Sequence, residues 1–363
     1  MGAVAVVKVG TSSIANEAGE LDDDALRKLA GDLAAARADG HELVLVMSGA
    51  IAAGMPALGI RRRPTDMGTL QAIAAVGQPR LLERMNSLLG AVGIVAGQVL
   101  LTPYDFVHRS QYLHARETFH KLQTLGVLAI VNENDTIADD EIRYGDNDRL
   151  AALVAHLVHA ETLVLLTDTG GVFTADPRHD AGASLIEEIV EVDAALERAA
   201  GGAGTERGSG GMASKLQAAK IAAWSGVRAV IASAAVDNVV ADALAGRAVG
   251  TSFAPRPTRL SSRKLWIAFA QGSEGRVIVD AGARRALVDG GKSLLAAGVR
   301  GVDGTFDVDS PVEIAGDDGR VFAKGLSRYD ASQLQAVAGK RTADLPAGLP
   351  DEVVHRDDLV VLP

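Results

Sequence analysis

Two lysines stand in unusual company. Lys8 interrupts the apolar run "VAVVKV" near the N-terminus, and Lys215 closes the glycine-rich stretch "GSGGMASK" at 208–215. A buried ammonium needs a counter-charge or an anion to hold; the plain alternative is an edge lysine reaching solvent. Gly10, two residues on, would let a ligand approach the backbone closely. The second stretch fails the P-loop pattern, because Lys215 follows Ser214 rather than glycine and precedes Leu216 rather than Ser or Thr. Gly208, Gly210 and Ala213 satisfy G-x-G-x-x-A, but what precedes them reads as a helix end and loop, not a strand. That argues against a dinucleotide site. A loop feeding a helix N-terminus, with Lys215 as a point charge, suits a triphosphate. The alternative is a plain flexible loop.

Four apolar runs end in small polar or acidic clusters: "VVKVGTSS", "VMSGAIAAG", "IVNENDT" and "LLTDTGGVFTADPR". A single cluster of this kind is an ordinary turn. Four at one edge of a sheet indicate a shared ligand site. Ser48 and Gly49 sit at a strand-to-helix turn, where Ser48 can cap the helix and the backbone N–H groups can hold a carboxylate. No glycine lies two residues before Ser48, so this is not a nucleophile elbow. Asn134, Asp135, Asn147 and Asp148 offer donors and acceptors together. Asp135 could accept from a ligand ammonium, and Asn147 could bind a ligand polar group. Asp148 could position two lysines or help with a hydrated metal. Asx turns and helix caps are the structural alternative for all four.

The elements that must carry these residues alternate. "ELVLVM", "IVAGQVLL", "VLAIV", "TLVLL" and "RAVIA" read as strands. "LDDDALRKLAGDLAAARADG" reads as a helix with Leu26, Leu29 and Leu33 on one face and Gly40 as its stop. This pattern predicts an α/β fold, a three-layer αβα sandwich on a mostly parallel sheet, over residues 1–254. "FAPRPTRLSSRK" reads as part of a linker, taken as 255–272. Shorter strands follow, with "GDDG" as a hairpin turn, predicting a small mainly-β domain at 273–363.

The 363 residues carry a formal charge of −10, which argues against a nucleic-acid scaffold or an acidic-membrane binder. No cysteine is present, so disulfides, thiolate metal sites and a Cys nucleophile are excluded. No basic segment precedes the first apolar run, unlike a signal peptide. The uncharged stretch from Asn86 to Tyr104 contains Gly90, Gly93 and Gly97 and reads as helix end, turn and strand rather than a membrane span. A soluble, cytoplasmic protein is expected.

The ordered set "VVKVGTSS", "MSGAIAAG", "AAVGQ", "NENDT", "GDNDRLAALVA", "LLTDTGGVFTADPR" and "GSGGMASKLQAA" resembles the amino acid kinase family, in its glutamate-phosphorylating branch. "SRYDASQLQAVAG" and "VHRDDLV" resemble the PUA domain appended to bacterial members. The resemblance implies transfer of phosphate from ATP, with Mg2+, to the γ-carboxylate of L-glutamate. That is the first step of proline synthesis, with proline as inhibitor. It also implies a homo-oligomer, dimer or tetramer, and functional coupling to glutamyl phosphate reductase. By the same resemblance Lys8 and Lys215 are catalytic, with Asp148 orienting them, and Ser48, Gly49, Asn134, Asp135 and Asn147 bind glutamate. Lys8, Gly10, Thr167, Asp168, Ser209, Gly210, Gly211, Met212, Ala213, Ser214 and Lys215 bind ATP. PUA domains occur in RNA-modifying enzymes, but residues 273–363 hold 11 Lys and Arg against 15 Asp and Glu, a net of −4. That balance suits phosphate-backbone binding poorly.

Overall fold

A computed structural model of the chain describes residues 2–16, 19–102, 104–137, 147–177, 179–180, 182–192, 196, 211–269 and 273–362. They divide into two compact units, Met1–Arg259 and Leu260–Pro363.

The first unit is built on a sheet whose strands are β1 (Val4–Val9), β2 (Glu42–Met47), β3 (Ala96–Leu101), β4 (Leu128–Glu133), β5 (Thr162–Thr167), β6 (Glu188–Ile189), β7 (Arg228–Ser233) and β8 (Gly250–Phe253). Their order is β3-β4-β2-β1-β5-β7-β8-β6. All neighbours pair parallel except β7 with β8. The five strands read after β1 are all present; the two short ones, β6 and β8, pair parallel with each other at one edge and run antiparallel to β7. The helices are α1 (Asp23–Ala38), α2 (Ala50–Ala57), α3 (Met67–Ala91), α4 (Tyr104–Val107), α5 (Arg109–Thr124), α6 (Asn147–Leu157), α7 (Met212–Trp224) and α8 (Val239–Leu244). The chain leaves β1 toward β2 on one side and later returns to place β5 on the other. The carboxyl ends of β1, β2, β4 and β5 therefore meet at a topological switch point.

Local chemistry explains the elements around that point. Asp22 caps α1 by accepting from the Asp24 and Ala25 N–H groups, a contribution of about 1 kcal/mol. Leu26, Leu29 and Leu33 then pack with Ala5, Val7 and Val9 of β1. Because strand side chains alternate, Val6 and Lys8 face the opposite layer, where α6 lies. Helices α2 and α3 cross with their backbones in contact. A β-carbon on Gly77 would fall 1.7 Å from the Ala50 carbonyl oxygen, and one on Gly54 would fall 2.2 Å from that of Ile73. Among the described residues no helix is long and apolar enough to cross a membrane.

The second unit carries β9 (Gly275–Val279), β10 (Leu294–Leu295), β11 (Val299–Gly304), β12 (Pro311–Gly316), β13 (Val321–Leu326), β14 (Glu352–Val354) and β15 (Leu359–Val361). Five of them form a sheet in the order β11-β9-β12-β13-β15. The "GDDG" turn joins β12 to β13 as read, with Gly319 at φ 71°. The "SRYD" motif is structural here: Tyr329 is fully buried and donates to the Pro350 carbonyl, and Asp330 forms a capping box with Gln333. The segment taken as a linker departs from expectation. Its Ser262–Phe269 portion is helix α9, which buries Leu265, Ile267 and Ala268 against β13 and β15. Two prolines and a run of basic residues mask this short amphipathic stretch in the sequence.

Candidate active site

Lys8, next to last in β1, is 2% exposed, with its Nζ 2.5 Å from Asp148 Oδ1. Lys215, 5% exposed on the first turn of α7, places its Nζ 3.3 Å from Asp148 Oδ2. Asp148 itself is fully buried at the start of α6. Burial alone would raise its carboxyl pKa, but Lys8 and Lys215 overcome that and hold it below the ordinary carboxylate range. Ser214 Oγ lies 2.8 Å from both Asp148 Oδ2 and the Gly211 carbonyl oxygen. One carboxylate thus organises two cations from segments about two hundred residues apart in sequence. A β-carbon on Gly10 would sit 3.5 Å from Lys8 Nζ. Its absence keeps the space beside the ammonium open.

On the other side of the switch point, Asn147 donates through Nδ2 to Ser48 Oγ at 2.8 Å and to Asn132 Oδ1 at 2.9 Å. Its Oδ1 accepts from the Glu133 N–H at 3.2 Å. Both Nδ2 hydrogens are engaged inside the protein in this ligand-free arrangement, and one of them holds Ser48. Gly49 caps α2 at φ 115°, where a β-carbon would press on Ile14 at 3.2 Å. Asn132, 1% exposed, donates to Gln78 on α3 at 2.7 Å. Neither Asn132 nor Gln78 was singled out from the sequence; the available signal was a polar residue in an otherwise apolar buried strand.

Asn134 and Asp135 follow β4 and line a cavity of about 600 Å³ together with Gln78. Burial pushes the Asp135 carboxyl up to about 6, against the pull of the Arg63 guanidinium. A carboxylate that accepts from a ligand ammonium must be ionised, and one with a raised pKa is ionised only above it. If Asp135 accepts a substrate ammonium, affinity for that substrate should fall as pH drops through about 6, roughly tenfold per unit below it. Asp135→Asn should abolish that acid limb in a kcat/KM profile. A substrate side-chain carboxyl titrates near 4.3 and so accounts for no inflection at 6.

Thr167 ends β5 buried, with its hydroxyl 3.0 Å from Asp168 Oδ1 and its carbonyl accepting from the Ala234 N–H. Gly171, at φ 148°, packs its backbone on β8, where a β-carbon would lie 2.7 Å from Thr251 Oγ1. Gly211, Met212, Ala213, Ser214 and Lys215 form the N-terminus of α7. Ser209 and Gly210 lie outside the described residues. Among the described residues no three His, Cys, Asp or Glu side chains converge as a metal site. Both Asp148 oxygens face ammonium groups. Asp148 is thus engaged with the lysines; beside a nucleotide a magnesium ion usually takes phosphate oxygens, water and one or two carboxylates.

Two lysines, glycine turns and a helix N-terminus gather at the strand ends, an arrangement suited to a phosphate group. Residues 3–233 match the model of the amino acid kinase family, and residues 275–349 match the PUA domain. The chain belongs to the amino acid kinase family. Its curated relatives include Glutamate 5-kinase of Anaeromyxobacter dehalogenans (strain 2CP-C), 46% identical over 98% of this chain and 96% of that protein. Glutamate 5-kinase of Myxococcus xanthus (strain DK1622) is also 46% identical, with the same coverage of each chain. Among solved structures, carbamate kinase from Giardia lamblia bound to AMP-PNP shares the fold, with a TM-score of 0.52 and 18% identity. That match covers 70% of this chain and 99% of the carbamate kinase.

Proposed function

We propose that the protein transfers the γ-phosphoryl group of ATP to the γ-carboxylate of L-glutamate, giving L-glutamyl 5-phosphate for proline synthesis. The observation that carries this is the buried Lys8–Asp148–Lys215 arrangement at the strand ends. The near-full-length likeness to glutamate 5-kinases supports the choice of substrate. The γ-carboxyl is already ionised at neutral pH, so no general base is required. The difficulty is an anion attacking a charged triphosphate, and catalysis reduces to positioning and electrostatics. Lys8 and Lys215 flank the transferring group, and Asp148 fixes their separation. Gly10 and Gly49 offer backbone N–H groups, and Ser48 and Asp135 hold glutamate. When bound with ATP, Mg2+ would supply neutralisation of phosphate charge. Thr167, Asp168 and the N-terminus of α7 face the nucleotide.

The test is a coupled assay with Mg-ATP and each of glutamate, N-acetylglutamate and aspartate, with and without proline. Turnover is expected with glutamate, and proline should raise its KM by competing beside Asp135. Preference for either other substrate would overturn the reading. We further propose a homo-oligomer working in a reducing cytoplasm, its product passing to a glutamyl phosphate reductase. RNA binding by the second unit is disfavoured, since Arg276, Arg300 and Arg328 are each paired with a carboxylate, Glu313, Asp280 and Glu352.

A further inference from the structure

The orientation of three amides follows from one backbone N–H. The Glu133 N–H can only donate, and it lies 2.9 Å from Asn132 Oδ1 and 3.2 Å from Asn147 Oδ1. Both side chains therefore turn oxygen toward Glu133 and nitrogen away from it. Asn147 Nδ2 then reaches Ser48 Oγ, which accepts and keeps its own hydrogen to donate. Asn132 Nδ2 reaches Gln78 at 2.7 Å, so Gln78 must meet it with Oε1. What Gln78 has left for the cavity that it lines beside Asn134 and Asp135 is Nε2, with two N–H donors. Flipping the amide would set nitrogen against nitrogen and forfeit the bond to a buried Asn132.

The order of strands gives this donor a substrate group to meet. Lys8 lies on β1, and β4 stands two strands away across β2, roughly 10 Å at the usual strand spacing. A γ-carboxylate beside the lysines therefore sends the α-end of a short amino acid toward the end of β4. Asp135 is the acceptor there for the α-ammonium. The α-carboxylate can only accept, and the Gln78 amide presents donors. Resting on the proposed glutamate kinase activity, we propose that Gln78 Nε2 binds the substrate α-carboxylate and selects for a free one, with Asn132 as the positioning residue that locks its orientation.

The experiment compares L-glutamate with its α-carboxamide, which keeps the α-ammonium and the γ-carboxylate, in the full-length protein. Gln78→Glu retains an oxygen for Asn132 but turns a carboxylate oxygen into the cavity. It should raise the glutamate KM roughly thirtyfold or more, as expected for losing a charge-assisted bond. The ATP KM should stay within twofold. The preference for glutamate over the α-carboxamide, as a ratio of kcat/KM, should fall by at least the same factor, because the amide can donate to the new carboxylate. Gln78→Met, which adds no charge, should move that ratio the same way by about fivefold and serves if Gln78→Glu folds poorly. Equal losses on both substrates, or an unchanged glutamate KM, would overturn the role of Gln78 and leave the glutamate kinase reading intact. Absence of glutamate turnover by the unmodified protein would overturn both.

Discussion

Replacing Lys8 or Lys215 by methionine should lower kcat at least a hundredfold, about 2.7 kcal/mol of transition-state stabilisation, while the protein stays folded. The rate loss follows from the position of the two ammonium groups on either side of one carboxylate, at the ends of β1 and at the start of α7. The retained fold follows from the same geometry. After loss of Lys8, Asp148 keeps Lys215 and Ser214; after loss of Lys215, it keeps Lys8 and Ser214. Methionine preserves most of the buried volume, so little cavity is left behind. If the lysines flank one phosphoryl group, the double variant should be only slightly slower than either single one. Steady-state kinetics with thermal melts on the same samples decide the matter. Near-normal turnover in either single variant would remove that lysine from the mechanism.

Asp148→Asn should behave in the opposite way, losing stability as well as rate. The substitution removes the carboxylate that two buried ammonium groups share, and breaking such a buried pair typically costs about 3–5 kcal/mol. A melting temperature lower by on the order of 10 °C is expected. The pH dependence separates this from a packing defect. The Asp148 pKa is depressed in the folded protein. Its contribution is therefore fully present above the unfolded value near 3.9 and disappears as pH falls through the lower folded value. Wild type and variant should differ most at neutral pH and converge in acid. A gap that persists unchanged to low pH would mean that the carboxylate charge is not what stabilises this region.

Much of the scaffold could be read from the chain because its signals are local. β-branched and leucine-rich runs gave the parallel strands, and the Asp22 cap with Leu26, Leu29 and Leu33 gave α1. Lys8 stood out for the same reason, as one charge in an apolar run. What was not legible depends on residues distant in sequence. The Asn147–Ser48 bond spans 99 positions, and nothing near Asn147 reveals that its donors are already used. Gln78 lay in a motif noted only for its resemblance, and its importance depends on Asn132, 54 positions away. The short strand β8 and helix α9 offer too few residues for their periodicity to outweigh the glycines and prolines around them.

The contact between α2 and α3 acquires a new meaning beside the amide chain. Ser48 precedes α2 and Gln78 lies in α3, so the distance between two proposed substrate donors is set by how closely those helices pass. That distance is fixed by hydrogen atoms: Gly54 and Gly77 leave no room for even one methyl group. Gly77→Ala should therefore widen the substrate pocket without altering any group that touches substrate. Such a lesion would resemble a binding-site mutation in kinetics and a packing mutation in chemistry. It gives a route by which this enzyme can be detuned, by evolution or by design, from behind its site rather than within it.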